Sequence, residues 1–85
     1  MEVKVGRVTH YFAHIGVAGV LVEADGLKIG DIIRIAGHTT DVTQQVTSMQ
    51  LEHEVIQAAK PGQSIGLKVA EHVREHDVVY KVLPA

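Results

Sequence analysis

Residues 59–69 read AKPGQSIGLKV and residues 26–35 read GLKIGDIIRI, two stretches in which a turn leads into a strand. In the first, the Pro-Gly order is typical of a type II turn, and Ile65, Leu67 and Val69 then alternate with smaller or charged residues. In the second, Gly30-Asp31 precedes an Ile-rich run. Both stretches predict β-structure.

The rest of the chain continues this pattern of short apolar runs separated by turn residues. Gly6 interrupts the first run and predicts a bulge, because the valines lie at odd-numbered positions before it and at an even-numbered position after it. Near 47–48 the apolar residues change from even-numbered to odd-numbered positions, which predicts another bulge. The predicted strands are 3–8, 15–23, 32–36, 42–51, 65–69 and 78–82. Six or seven short strands at this spacing predict an all-β fold, a small closed barrel.

Length and composition limit the class of protein. The 85 residues predict one domain spanning 1–85, and a hydrophobic fraction of 46% with 4% aromatics favours aliphatic β-packing. The absence of cysteine excludes disulfides and a thiolate zinc site. Without a leader or a long apolar run, we expect a cytoplasmic protein that does not enter the membrane.

The residues that carry chemistry are sparse. No phosphate-binding loop occurs, and neither Ser48 nor Ser64 sits in a nucleophile elbow, so we expect no enzymatic activity and no cofactor. The six histidines include two pairs spaced four apart and one residue, His53, between two glutamates. Four-residue spacing brings side chains together only on a helix, so solvated histidines are the expectation and a metal site is the lesser alternative.

The two opening stretches resemble the second-domain barrel of elongation factor Tu. In that family a glycine turn precedes a Gly-Asp strand start, and an Ala-x-Pro-Gly turn precedes an Ile/Val-Gly-Leu strand. The late segment 73–78 is similar to the family's Val-x-x-Gly-Asp-Val, with His76 at the glycine position. In length, and in the phrase at 37–41, the chain resembles the stand-alone translation elongation factor-like proteins. The resemblance implies a closed barrel of the translation-factor second-domain type.

That resemblance also implies contact with ribosomal or transfer RNA, in a translation-associated binding role. Net charge is −2, so RNA contact requires a local basic patch. The candidate RNA-binding residues are four cations for the phosphates and two aromatics for stacking: Arg7, Arg34, Lys68, Arg74, Tyr11 and Phe12. The alternative for the cations is ordinary solubilising charge, and for the aromatics packing over the barrel mouth.

A rival function is a protein adaptor. Similar barrels occur at the carboxyl end of peptidase family U32 proteins, which implies docking on such a peptidase or on an RNA-modifying enzyme. An exposed strand edge could also pair two copies, so we expect a monomer or a weak homo-oligomer.

Overall fold

The computed structural model describes residues 1–84, and these residues form ten β-strands and no helix. The strands are β1 Glu2–Phe12, β2 Val17–Val22, β3 Leu27–Lys28, β4 Ile32–Ala36, β5 Asp41–Gln45, β6 Met49–Leu51, β7 Glu54–Ile56, β8 Ala58–Ala59, β9 Ser64–Lys68 and β10 Val78–Val82. The prediction of an all-β fold is confirmed.

Eight of these strands form one antiparallel sheet in the order β5-β4-β10-β1-β2-β9-β6-β7, while β3 and β8 pair separately. A barrel closes only when its two end strands pair, and β5 and β7 do not. The prediction of a closed six- or seven-stranded barrel is therefore wrong. The expected single strand 42–51 is broken at Val46. The Val46 N–H donates to Asp31 O at 2.8 Å, and the Val46 carbonyl accepts from Gly30 N at 2.9 Å.

At the β5 end, a side chain bonds to the backbone at the end of β9. The Gln44 carboxamide donates from Nε2 to Lys68 O and accepts from Ala70 N, both at 2.8 Å. One primary amide thus presents a donor and an acceptor to a neighbouring backbone, as a strand residue would. We call this contact the Gln44 seam.

The longest strand, β1, bends twice. Its register against β10 shifts between Lys4 and Gly6, and its register against β2 shifts between Val8 and His10. A side chain at Gly6 would meet Leu21 O, so the backbones approach there more closely than any Cβ allows. The bulge predicted at Gly6 is confirmed.

The core lies inside the curled sheet and is built from aliphatic side chains. Its members are Val5, Val8, Ala18, Val20, Val22, Leu27, Ile33, Ile35, Val46, Met49, Ala59, Ile65, Leu67, Val69, Val73 and Val79. The change of face between 42–46 and 49–51 is as predicted, because Val42, Val46 and Met49 are all buried. In β10, Val79 is fully buried, whereas Val78 and Tyr80 are half-buried on the outside.

The turns follow the sequence closely. Gly62 has φ +93° and Gln63 N bonds Lys60 O at 3.2 Å, as a type II Pro-Gly turn requires. His76 has φ +74°, so histidine adopts the left-handed conformation of the glycine that the resemblance predicts there. Its N–H bonds Val8 O at 2.8 Å, and this bond holds the turn against the bulge in β1.

Candidate functional site

The outer face of β2, β9 and β6 carries an apolar groove. It consists of two adjoining cavities of about 360 and 250 Å³ that share Ile15, Val17, Gln50 and Gly66. The larger cavity extends to Phe12, Glu52, His53 and Ser64, and the smaller one extends to Ser48 and Lys68. We call this surface the outer groove.

The floor of the outer groove is backbone. Gly66 in β9 lies opposite Gly19 in β2 and Gln50 in β6, so the middle of the sheet carries two neighbouring residues without side chains. A Cβ added at Gly66 would lie 3.3 Å from Val17 Cγ1 and would fill the floor. Gly66 therefore leaves the recess, whereas the space above Gly19 is occupied by Thr9, whose Oγ1 would lie 3.1 Å from an added Cβ.

The wall on the β1–β2 side is apolar and exposed. Phe12 is 47% exposed and Ile15 is 60% exposed, although each is among the larger hydrophobic residues of the chain. The Lys68 ammonium donates to Ile15 O at 3.0 Å and fixes the hairpin over the end of β9. Exposed apolar residues beside a recess are typical of protein-binding surfaces.

The opposite wall is the two-residue hairpin between β6 and β7. Leu51 pairs with Glu54, and the two loop residues, Glu52 and His53, have φ +51° and +68°. This backbone is a type I′ turn, for which Asn-Gly is the preferred sequence. Two residues with Cβ atoms in left-handed conformations are strained, and such strain is concentrated at functional sites.

The four predicted phosphate-binding cations are each engaged within the chain and lie on different elements. Arg7 lies 3.5 Å from the Glu23 carboxylate, and Arg74 Nε donates to Thr39 Oγ1 at 3.0 Å. Lys68 contributes to the outer groove. The assignment of these side chains to RNA is not tested by their geometry and stays a prediction.

Arg34 forms the most extensive ion pairing of the four. Its side chain points outward between two buried isoleucines and contacts Asp41 at 2.8 Å and Glu2 at 3.1 Å. Hydrogen bonding to Asp41 and then to Glu2 raises the pKa of Arg34, and the guanidinium in turn lowers the pKa of Asp41. Arg34 thus ties β4 to β5 and to the start of β1.

The two predicted stacking residues lie in different surroundings. Tyr11 packs against the core, and its ring centroid lies 4.6 Å from that of His72. Phe12, with its ring 4.5 Å from that of His10, lines the outer groove. Packing, the alternative for the aromatics, therefore describes Tyr11, while Phe12 remains available to a partner.

The histidines are all exposed, and His10 faces Glu75 at 3.5 Å. Across residues 1–84, no three His, Asp or Glu side chains converge in a way that could hold a metal ion. In the same residues, no helix has the length and apolar character needed to cross a membrane.

Comparison with known proteins relates this fold to peptidases. An uncharacterised protease of Methanocaldococcus jannaschii is 40% identical over 80 residues, which is 93% of this chain and 19% of that protein. A collagenase of Porphyromonas gingivalis is 38% identical over 81 residues, 94% of this chain and 20% of that protein. The chain spans about a fifth of the length of these relatives. No protein-family model matches it.

Among solved structures, the C-terminal domain of a Geobacillus thermoleovorans protein described as a U32 peptidase superposes with a TM-score of 0.86 at 22% identity. The match covers 94% of this chain and 92% of that one. The chain has the fold of that C-terminal domain. The selenomethionine form of the same domain superposes with a TM-score of 0.84.

These findings correct the expected identity. The resemblance to elongation factor Tu and to stand-alone elongation factor-like proteins is wrong as an identification, because the relatives are named protease and collagenase. The expected role in translation, which depended on that identification, is wrong as well. The expectation that the protein is not an enzyme is contradicted as well by those names, although the match covers about a fifth of each relative. The shared glycine and Pro-Gly turns reflect backbone geometry, which unrelated functions can share.

Most of the outer groove was missed at the level of sequence. Phe12 and Lys68 were singled out for another purpose, whereas Ile15 and Gly66 were assigned only to strands. A glycine in a strand does signal close approach or a recess, but the recess at Gly66 also requires β9 to be paired with β2 and β6, which place Val17 and Gln50 beside it. That pairing depends on register between strands distant in the chain.

Proposed function

We propose that this chain is a docking module of a U32-type peptidase: residues 1–85 form one unit that binds the remaining part of such an enzyme. The observation that carries the proposal is the match of 93% of the chain to 19% of a protease. The rest of that relative has no counterpart in the 85 residues. The module therefore works against a larger protein surface, whether joined to it or supplied separately.

The outer groove is the surface that we assign to this contact. It combines a recessed backbone floor with exposed apolar residues, and binding energy at protein interfaces is concentrated in such central apolar anchors. Burying Phe12 and Ile15 against a partner removes apolar surface from water, which contributes roughly 25 cal/mol per Å² before the costs of association.

Isothermal titration calorimetry with the M. jannaschii protease tests the proposal. The protease is expressed without the segment that this chain matches, and the excised segment serves as the positive control. We expect both the excised segment and this chain to bind the truncated protease. Replacing the 60%-exposed isoleucine, Ile15→Ser, should weaken binding at least tenfold, about 1.4 kcal/mol.

The matched control is a second exposed isoleucine far from the groove. Ile32 in β4 is 40% exposed and lines a different cavity with Lys81 and Leu83, so Ile32→Ser should leave the affinity unchanged. Binding of the excised segment without binding of this chain would contradict the proposal. Equal losses from the two serine variants would remove the outer groove as the contact surface.

A further inference from the structure

The outer groove is polarised along β9. Ile65 and Leu67 point into the core, so Ser64, Gly66 and Lys68 face outward in turn. Gly66 is the midpoint, and the recess lies above it. The groove therefore has a direction, defined by the strand that forms its floor.

The two ends of the groove carry opposite charges. Glu52 lines the cavity at the Ser64 end, and within residues 1–84 no cation lies at ion-pair distance from its carboxylate. At the other end, the Lys68 ammonium gives one hydrogen bond to Ile15 O, which leaves two of its three donors for a ligand. The middle of the groove is apolar.

The spacing of these features matches an extended polypeptide. Ser64 and Lys68 are four positions apart in the strand, which corresponds to about 13 Å at the rise of a β-strand. In an extended peptide, residues i, i+2 and i+4 point to one side and span the same length. A basic side chain at the first of those positions can contact Glu52, an apolar one at the second can fill the recess, and an acidic one at the third can contact Lys68.

We propose that the outer groove binds an extended polypeptide segment in which an apolar residue over Gly66 stands two positions from a basic residue and two from an acidic one. The proposal rests on the proposed function in taking a polypeptide as the partner, and it adds the chemistry of the segment. Charge selects and orients the segment, whereas the apolar side chain supplies the anchor.

Three peptides test this chemistry by amide chemical shifts of the full 85-residue chain. They are acetyl-Lys-Gly-Leu-Gly-Asp-amide, the uncharged acetyl-Gln-Gly-Leu-Gly-Asn-amide, and acetyl-Lys-Gly-Ala-Gly-Asp-amide. We expect the first peptide to shift the amides of Val17, Gln50 and Gly66 and to bind at least fivefold more tightly than either of the others. Its advantage over the uncharged peptide should decrease as salt is added.

Two variants link the effect to named residues. Gly66→Ala places a Cβ 3.3 Å from Val17 Cγ1 in an extended strand, so it should fill the recess, keep the fold and weaken the leucine peptides at least fivefold. Glu52→Gln changes charge with little change in shape. It should reduce the preference for the charged peptide and leave the uncharged peptide unaffected.

The outcomes separate this inference from the docking function. Equal affinities for the three peptides, shifts outside the outer groove, or no shifts at millimolar peptide would overturn the proposed segment chemistry. If the truncated protease nevertheless binds and Ile15→Ser weakens it, docking stands with a partner of different chemistry. If the truncated protease binds the excised segment but does not bind this chain, the docking function is wrong, whatever the result with the peptides.

Discussion

The two ends of the eight-stranded sheet are finished in different ways. At the β5 end, the Gln44 seam supplies two 2.8 Å hydrogen bonds to residues 68 and 70. At the β7 end, the strand follows the Glu52-His53 turn, in which both residues have positive φ values, and Val55 is 67% exposed. The first end obeys the ordinary rule that a strand edge is paired or covered, while the second keeps strain and exposed apolar surface. The strained end supplies Glu52 and His53 to the wall of the outer groove.

Removing the seam should have the largest effect on stability. Gln44→Ala deletes both hydrogen bonds, each contributing about 1 kcal/mol, so we expect the free energy of unfolding to fall by about 2 kcal/mol. Urea denaturation measures it. Gln45→Ala is the matched control, because its single bond to Gly30 O is long at 3.3 Å and its loss should cost less than about 1 kcal/mol. Equal decreases in the free energy of unfolding for the two variants would mean that the Gln44 seam contributes no more than an ordinary surface hydrogen bond.

Relieving the strain at the other end should stabilise the protein. Replacing Glu52 and His53 together by Asn-Gly supplies the residues that a type I′ turn prefers, and the gain should be about 1–2 kcal/mol in urea denaturation. Gly62→Ala provides the opposite control: its φ of +93° suits glycine, so alanine should cost about 1 kcal/mol. A loss of stability in the Asn-Gly variant would show that the observed side chains support the hairpin.

The smallest effect concerns the ion pair beside the β5 end. Hydrogen bonding to Arg34 lowers the pKa of Asp41 below its ordinary value of 3.8, so the folded state binds this proton less readily than the unfolded state. The stabilisation is therefore fully present above pH 4 and is lost as the pH falls through the lowered pKa. Asp41→Asn should reduce the urea midpoint slightly at neutral pH, and the difference from wild type should shrink in acid. A difference that grows in acid would contradict this sign.

How far the fold could be anticipated depends on the range of the interactions. The Pro61-Gly62 turn, the bulge at Gly6 and the strand 64–68 were all predictable, because each depends on residues within a few positions of one another. The buried face of β10 does not follow from the sequence: Val78, Tyr80 and Val82 show the cleaner alternation, yet Val79 is the fully buried residue, because burial is decided by the strands on either side.

The candidate site was less predictable than the fold. Phe12 and Lys68 were noted for their chemistry, but Ile15 and Gly66 carry no chemical signal of their own. The resemblance to elongation factors did not help, because the turns that support it occur in β-domains of different function, and the expected translation role was wrong. The U32 adaptor alternative was the better of the two interpretations.

Local patterns in the 85 residues were enough for the longer strands, the Pro-Gly turn and an aliphatic core, because backbone conformation and side-chain alternation are short-range properties, whereas the short strands β3, β7 and β8 were not predicted. Three features required the assembled molecule: the bonds from Gln44 to residues 68 and 70, the recess at Gly66 and the placement of Glu52 and Lys68 at its two ends. Each depends on register between segments far apart in the chain, and that register follows from packing of the whole core.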